Sequence, residues 1–357
     1  MDPIFWPLLV VIALVGLLFL LMPGLTRPDV FFAVTVDPAF RATAEGRRAT
    51  TTYRAVSMAS SLLALVALAL AVHNNAHEPR AVFALVPQLL GTTAGFLIAR
   101  RLVRPHAAPL ATTREAVVVP RRVALSGGWP LQAVPFIVLA AVSALVALRW
   151  QDLPARMPVH WGLTGQADRW MDRSPAAVFG PLASAGLMCG LMLIVAIGLL
   201  HSRRVRVTGE AAPGEASFRR VTATVLLVAE LLIALSASHP LLVALLPSTV
   251  VERALLVMTV GGVAVAAFLV ALLVRLGQGG SRRVPLLETA VPVGDRTPDS
   301  KWIWGMLYFN ADDPALFVEK RFGIGYTFNF GRPSAWVLIG VLIGIPVLLG
   351  LLRRFGH

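Results

Sequence analysis

WQDLPARMPVHWGLTGQADRWMDRS, residues 150–174, is a polar island between two apolar runs, Leu131–Leu148 and Ala177–Leu200. Three acids, a histidine and three tryptophans stand in it, with four arginines if Arg149 is counted. Either flanking run is close to the roughly 20 residues that a helix needs to cross a bilayer. The island therefore reads as a loop between two membrane spans, and the rest of the chain follows the same logic. Six more apolar runs meet the criterion: Ile4–Met22, Ala55–Val72, Ala81–Ala99, Val221–Ser238, Ala254–Val274 and Ala335–Leu352. The 357 residues are 57% hydrophobic and only 14% charged, a balance that excludes an ordinary soluble globule. The expected fold is an all-α membrane protein of about eight transmembrane helices with a small cytoplasmic β-rich module.

Charge sets the orientation. With eight spans, the loops 23–54, 100–130, 201–220 and 275–334 hold 24 of the 32 Lys and Arg, and the opposite side holds 8. Positive residues collect on the cytoplasmic side, so both termini and the island are expected outside. The partner for those arginines is the lipid bilayer with its acidic head groups rather than nucleic acid. No basic segment precedes the first apolar run, which is long enough to span and reads as a retained anchor rather than a cleaved signal. The single cysteine, Cys189, excludes an intrachain disulfide.

Local patterns add detail. Trp6, Trp129, Trp150 and Trp336 lie at span ends, as interfacial anchors do. Gly186/Gly190 and Gly340/Gly344 have the spacing that lets helices approach closely. Val30–Val36 is strand-like, and Arg41–Arg54 reads as a basic helix leading into the second span. Ala116–Val119 is a further strand candidate, and Gly277–Ser300 reads as a flexible linker. Three strand-like runs follow, Trp302–Phe309, Leu316–Lys320 and Ile324–Phe330, with Asn310–Pro314 as the first turn. They predict a meander, open to the strands of the first two basic loops. The expected division is 1–130, 131–200, 201–275, a cytoplasmic linker and module over 276–334, and a last helix with its tail over 335–357.

The chemistry is sparse. There is no phosphate loop, zinc helix, nucleophile elbow or CxxC pair, so no cofactor or metal is expected and ATP-driven transport by this chain is excluded. In the island, Pro154 and Pro158 oppose helix while Gly162 and Gly165 permit reversals, which predicts an irregular constrained loop. His160 with Asp152, Asp168 and Asp172 has ligand-type side chains but no metal-site spacing. The bland reading braces a turn with Asp168, pairs Arg169 and Arg173 with acids or lipid head groups, and covers a small core with Trp161 and Trp170. The sharper reading makes His160, Trp161, Asp168 and Trp170 a recognition surface, since exposed aromatics beside charges are typical contact residues. Glu230 lies ten residues past Arg220, about 15 Å into the sixth span. Ionisable groups at such depth face a bundle interior or a wet cavity, and His239-Pro240 should kink or end that helix. In the module, Asp312, Asp313, Lys320 and Arg321 form either a salt-bridged turn or a docking surface for a cytoplasmic protein.

Two segments resemble known families. Leu153-Pro154, Met157-Pro158-Val159-His160-Trp161, Gly165, Asp168 and Trp170 resemble the pattern of domain of unknown function 1648. That group of bacterial membrane proteins includes the Sdp-type immunity proteins. Gly162 stands where the family usually has Asn, and Arg173-Ser174 where it often has Ser-Lys. Residues 302–336, with Trp302-x-x-Gly305, Tyr308-x-Asn310-x-x-Asp313-Pro314 and Lys320-Arg321-x-Gly323-x-Gly325, are similar to domain of unknown function 5808. The first resemblance implies a bacterial inner-membrane protein that engages an extracellular peptide. The leading expectation is a non-enzymatic sensor or immunity-like protein. A proton-coupled transporter or flippase-like protein using Glu230 is the first alternative, and a membrane-embedded enzyme using His160 and a nearby acid is the second.

Overall fold

The computed structural model describes residues 5–74, 81–108, 125, 127–161, 167–201, 212–246, 248–278, 281 and 297–355. The apolar runs form helices: α1 (Phe5–Leu25), α2 (Ala44–His73), α3 (Leu85–Val103), α4 (Gly128–Leu148), α5 (Pro175–His201), α6 (Ala212–Leu245), α7 (Ser248–Leu276) and α8 (Pro333–Phe355). Among the described residues six are long and apolar enough to cross a membrane, α1 to α6. The described apolar parts of the last two, Val260–Leu276 in α7 and Pro333–Gly344 in α8, are shorter. The chain is therefore an integral, mostly helical membrane protein, with six candidate spans among the described residues where eight were expected.

The helices form two groups. In the first, α2 packs extensively along α3 and α1 against α2. Close approach there depends on glycine. A Cβ on Gly91 would stand 2.3 Å from Ser60 Cβ, and one on Gly95 3.1 Å from Val56 Cβ. The pairs singled out in the sequence make no such approach among the described residues: none of these lies within 4 Å of a Cβ at Gly190, Gly340 or Gly344, and Gly186 meets Leu139 at 3.7 Å. In the second group α5 and α6 pack on one another and on α4, with α7 against α6. Its core runs through Leu139, Val146, Leu182, Cys189, Ala234 and Leu241. Pro240 does not end α6, which continues to Leu245.

Among the described residues the strands form four two-stranded antiparallel hairpins rather than a meander. Val30–Val36 holds the first, β1 (Val30–Phe31) with β2 (Val34–Thr35), turning at Phe32 (φ 44°) and Ala33 (φ 61°). β3 (Arg156–Trp161) pairs with β4 (Ala167–Asp172), so the island is a hairpin rather than an irregular loop. Each strand of a two-stranded pair is an edge, where the missing N–H of Pro158 is tolerated, and the register shifts between Pro158 and His160. Trp302–Phe309 is not one strand but β5 (Trp302–Ile303) and β6 (Leu307–Tyr308). β7 (Phe317–Glu319) pairs with β8 (Tyr326–Phe328), and a single parallel bridge, Tyr308 to Asn329, links these two hairpins. Arg41 lies ahead of α2, which begins at Ala44 behind the N-cap Thr43. It ties the first basic loop together by donating to the carbonyls of Pro23 (3.0 Å), Pro28 (3.2 Å) and Val30 (2.9 Å) and to Thr26 Oγ1 (2.9 Å). Ala116–Val119 and most of Gly277–Ser300 lie outside the described residues.

Candidate functional site

The island hairpin is braced at its root. Leu153 and Met157 are buried in the core shared by α4, α5 and α6. Arg173, expected to pair with acids or head groups, donates to the carbonyls of Trp150 (2.9 Å), Gln151 (3.3 Å) and Leu153 (2.7 Å). Its guanidinium also lies 5.8 Å from the Trp150 ring. Trp150 stacks on Phe179 of α5, with centroids 6.0 Å apart and planes at 7°, and so is part of this brace. Trp6, Trp129 and Trp336 are exposed at helix ends. Beyond the root the hairpin opens to solvent: Trp170 is exposed, and Arg156 and Asp172 form an exposed pair at 3.8 Å. His160 pairs in register with Arg169, and Trp161 with Ala167. The side chains of His160, Trp161 and Asp168, and the tip with Gly162 and Gly165, lie outside the described residues. Among the described residues no three His, Cys, Asp or Glu side chains cluster as a metal set.

Glu230 sits in the interior of the second helix group at 0% exposure, and neither carboxyl oxygen has a hydrogen-bond partner among the described residues. Its backbone carbonyl accepts from Cys189 Sγ at 3.4 Å, which places it against the middle of α5. A groove of about 490 Å³ on that group is lined by Trp129, Gln132, Phe136 and Ile137 of α4 and by Leu193 of α5.

The C-terminal module of β5 to β8 joins the two helix groups. The β7–β8 turn carries Phe322 into an aromatic socket of Phe32 (5.6 Å), Tyr53 (5.6 Å) and Phe96 (4.5 Å) in the first group. Gly323 and Gly325, at φ 89° and 105°, make that turn, and a Cβ on Gly323 would meet Met22 Sδ of α1 at 2.9 Å. The strands face the second group: Phe317 presses on Gly198 of α5, and Tyr326 meets Phe218 of α6 at 6.1 Å. Gln278, just past α7, exchanges two hydrogen bonds with the Gly325 backbone (2.9 and 2.7 Å).

Of the four module residues proposed for docking, Arg321 is not on the surface. It is buried over the Trp302 ring at 5.1 Å, pairs with Asp299, and donates to Thr297 Oγ1 (3.1 Å) and the Ala33 carbonyl (3.4 Å). A guanidinium can satisfy several acceptors at once in a buried place, so Arg321 holds the β1–β2 turn to the module. Asp313 is also engaged, accepting from Tyr308 Oη (3.0 Å) and the Ala315 N–H (2.9 Å). Asp312 and Lys320 are exposed, Asp312 at 3.7 Å from Lys301. A role that the sequence did not suggest belongs to Asn329, fully buried. Its amide donates to the carbonyls of Asn310 (2.7 Å), Asp313 (3.0 Å) and Ala315 (3.1 Å), closing the module's polar core.

No curated protein and no solved structure matches the chain. Two family models do. The first covers 136–184, which is α4, the braced hairpin and the start of α5; the second covers 311–336, which is the β7–β8 hairpin and the start of α8. The chain thus carries a domain of unknown function (DUF1648) around its island hairpin and a segment of a family of unknown function (DUF5808) in its module.

Proposed function

We propose that this protein is a non-enzymatic sensor or immunity-like protein of the bacterial inner membrane, with eight spans and both termini outside. In this reading the island hairpin engages an extracellular peptide or another envelope component. The observation that carries it is the brace. The exposed strands stand on a root locked into α4, α5 and α6, and α5 and α6 touch the inner module through Gly198, Phe317, Phe218 and Tyr326. A ligand that shifts the root has a packed route to the other side. The recognition surface comprises His160, Trp161, Asp168 and Trp170, with Asp312 and Lys320 left for a soluble partner. The test is protection of a susceptible host against a secreted-peptide fraction. Protection is expected from the native chain and its loss from a Trp161→Ala, Trp170→Ala variant that still reaches the membrane. Equal protection by both, or none by the native chain, overturns the reading.

One observation favours a second reading, a proton-coupled transporter or flippase-like protein. Glu230 is a fully buried carboxyl without a partner among the described residues, at mid-helix. Groups of this kind mark proton relays in membrane bundles. Substrate flux that is the same in Glu230→Gln as in the native chain would end that reading.

A further inference from the structure

The β5–β6 hairpin is apolar on both faces. On the inner face Trp302 and Tyr308 are buried, 5.0 Å apart between ring centroids. On the outer face Ile303 and Leu307 form a cross-strand pair at 44% and 38% exposure, followed by Phe309 at 49% and by Trp304 at 66% in the turn. A hairpin with one face packed and the other in water alternates apolar and polar residues. This one does not, so its outer face needs a cover.

Its position says what the cover is. The turn places Gly305 (φ 77°) against Ala33 and the guanidinium of Arg100, 2.8 and 2.7 Å from a Cβ built there. Arg100 also donates to the Phe32 carbonyl at 3.3 Å, and the Phe32 ring lies against Phe96, one turn further into the span. Two residues before Arg100, Ile98 is still exposed as a lipid-facing aliphatic. The hairpin turn therefore lies at the depth where α3 passes from apolar to charged. Trp is favoured at that boundary. Exposed Arg101 and Arg104 at the same helix end supply the charge that anionic head groups attract.

We propose that Ile303, Trp304, Leu307 and Phe309 rest in the interfacial zone of the leaflet on the basic-loop side, so that the module is seated on an anionic phospholipid surface as well as tethered by its helices. The proposal depends on the chain spanning a membrane and not on what the island hairpin recognises.

The test uses the full chain in nanodiscs of phosphatidylcholine and phosphatidylglycerol. Cys189→Ala removes the native thiol, and Trp304→Cys, Leu307→Cys and, as a reference, Asp312→Cys each carry an environment-sensitive fluorophore. Labels at 304 and 307 should lose emission to doxyl-labelled phospholipid and resist iodide, with the reverse at 312. Quenching by iodide at 304 and 307 would put the face in water. Resistance to both quenchers would mean that protein, a partner or a second copy, covers it. Either result overturns the proposal. The unaltered chain gives a check free of substitution: a photoactivatable phospholipid should leave adducts on 302–309, and adducts confined to the helices would count equally against it.

Discussion

The ring of Phe317 fills the space that a side chain on Gly198 would need, with Cε2 2.8 Å from a Cβ built there. This contact joins a membrane helix to the C-terminal module. Gly198→Val should lower the stability of the folded chain by about 1–3 kcal/mol, the usual cost of overpacking. Phe317→Leu in the same chain should restore most of the loss. Thermal unfolding of the two single variants and the double variant measures the coupling, and simple additivity would show that the contact is not strained by the added methyls.

Arg173 should be hard to replace. Arg173→Ala removes three hydrogen bonds from a charged donor to carbonyls around Trp150–Leu153, with an expected loss of about 1.5–3 kcal/mol. Arg173→Lys should recover only part, because an ammonium lacks the planar fork. Protease cleavage within 150–174 should rise in the order native, Lys, Ala, and unchanged cleavage in the Ala variant would contradict the brace.

Glu230→Leu is expected to stabilise the protein. It removes two buried oxygens without partners among the described residues, a change worth about 1–3 kcal/mol in favour of the folded state. A higher unfolding midpoint together with loss of function would identify Glu230 as a group kept at a cost to stability. A lower midpoint would mean that the carboxyl is satisfied in the membrane.

Gly91 and Gly340 offer a contrast between glycines. Gly91→Val drives a side chain into Ser60 Cβ, 2.3 Å from the position of its own Cβ, so α2 and α3 must separate, at an expected cost of about 2–3 kcal/mol. Gly340→Val meets nothing within 4 Å and should change the midpoint little. Comparable losses from the two would imply that α8 packs against a second chain.

The helices were legible because the apolar run is the physical requirement for burial in lipid: Leu131–Leu148 and Ala177–Leu200 correspond to α4 and α5 within three residues at each end. Where a helix continues into water the apolar run alone underestimates it: α2 begins eleven residues before Ala55, within the stretch Arg41–Arg54 that its charge pattern marked as a basic helix. Hairpins were harder. Phe32-Ala33 and Trp304-Gly305 take left-handed turns without the usual Asn-Gly signal. The carbonyls of Phe32 and Ala33 both accept from Arg100, far away in sequence, and that tertiary bond overrides local preference. Arg321 was misplaced for a similar reason, since its acceptors Thr297, Asp299 and Ala33 precede it and give no spacing signal. Glu230 was visible as a charge in an apolar run, but its lack of partners is a property of packing alone.

The socket for Phe322 has a consequence for how the chain is assembled. Phe32, Tyr53 and Phe96 are all in place once the third helix has been inserted, while the ring that fills the space between them comes from a turn made much later. During synthesis the first three helices must therefore persist with an open aromatic cleft at the membrane edge. The order of translation makes closure of this cleft a late event, completed when residue 322 arrives to fill it.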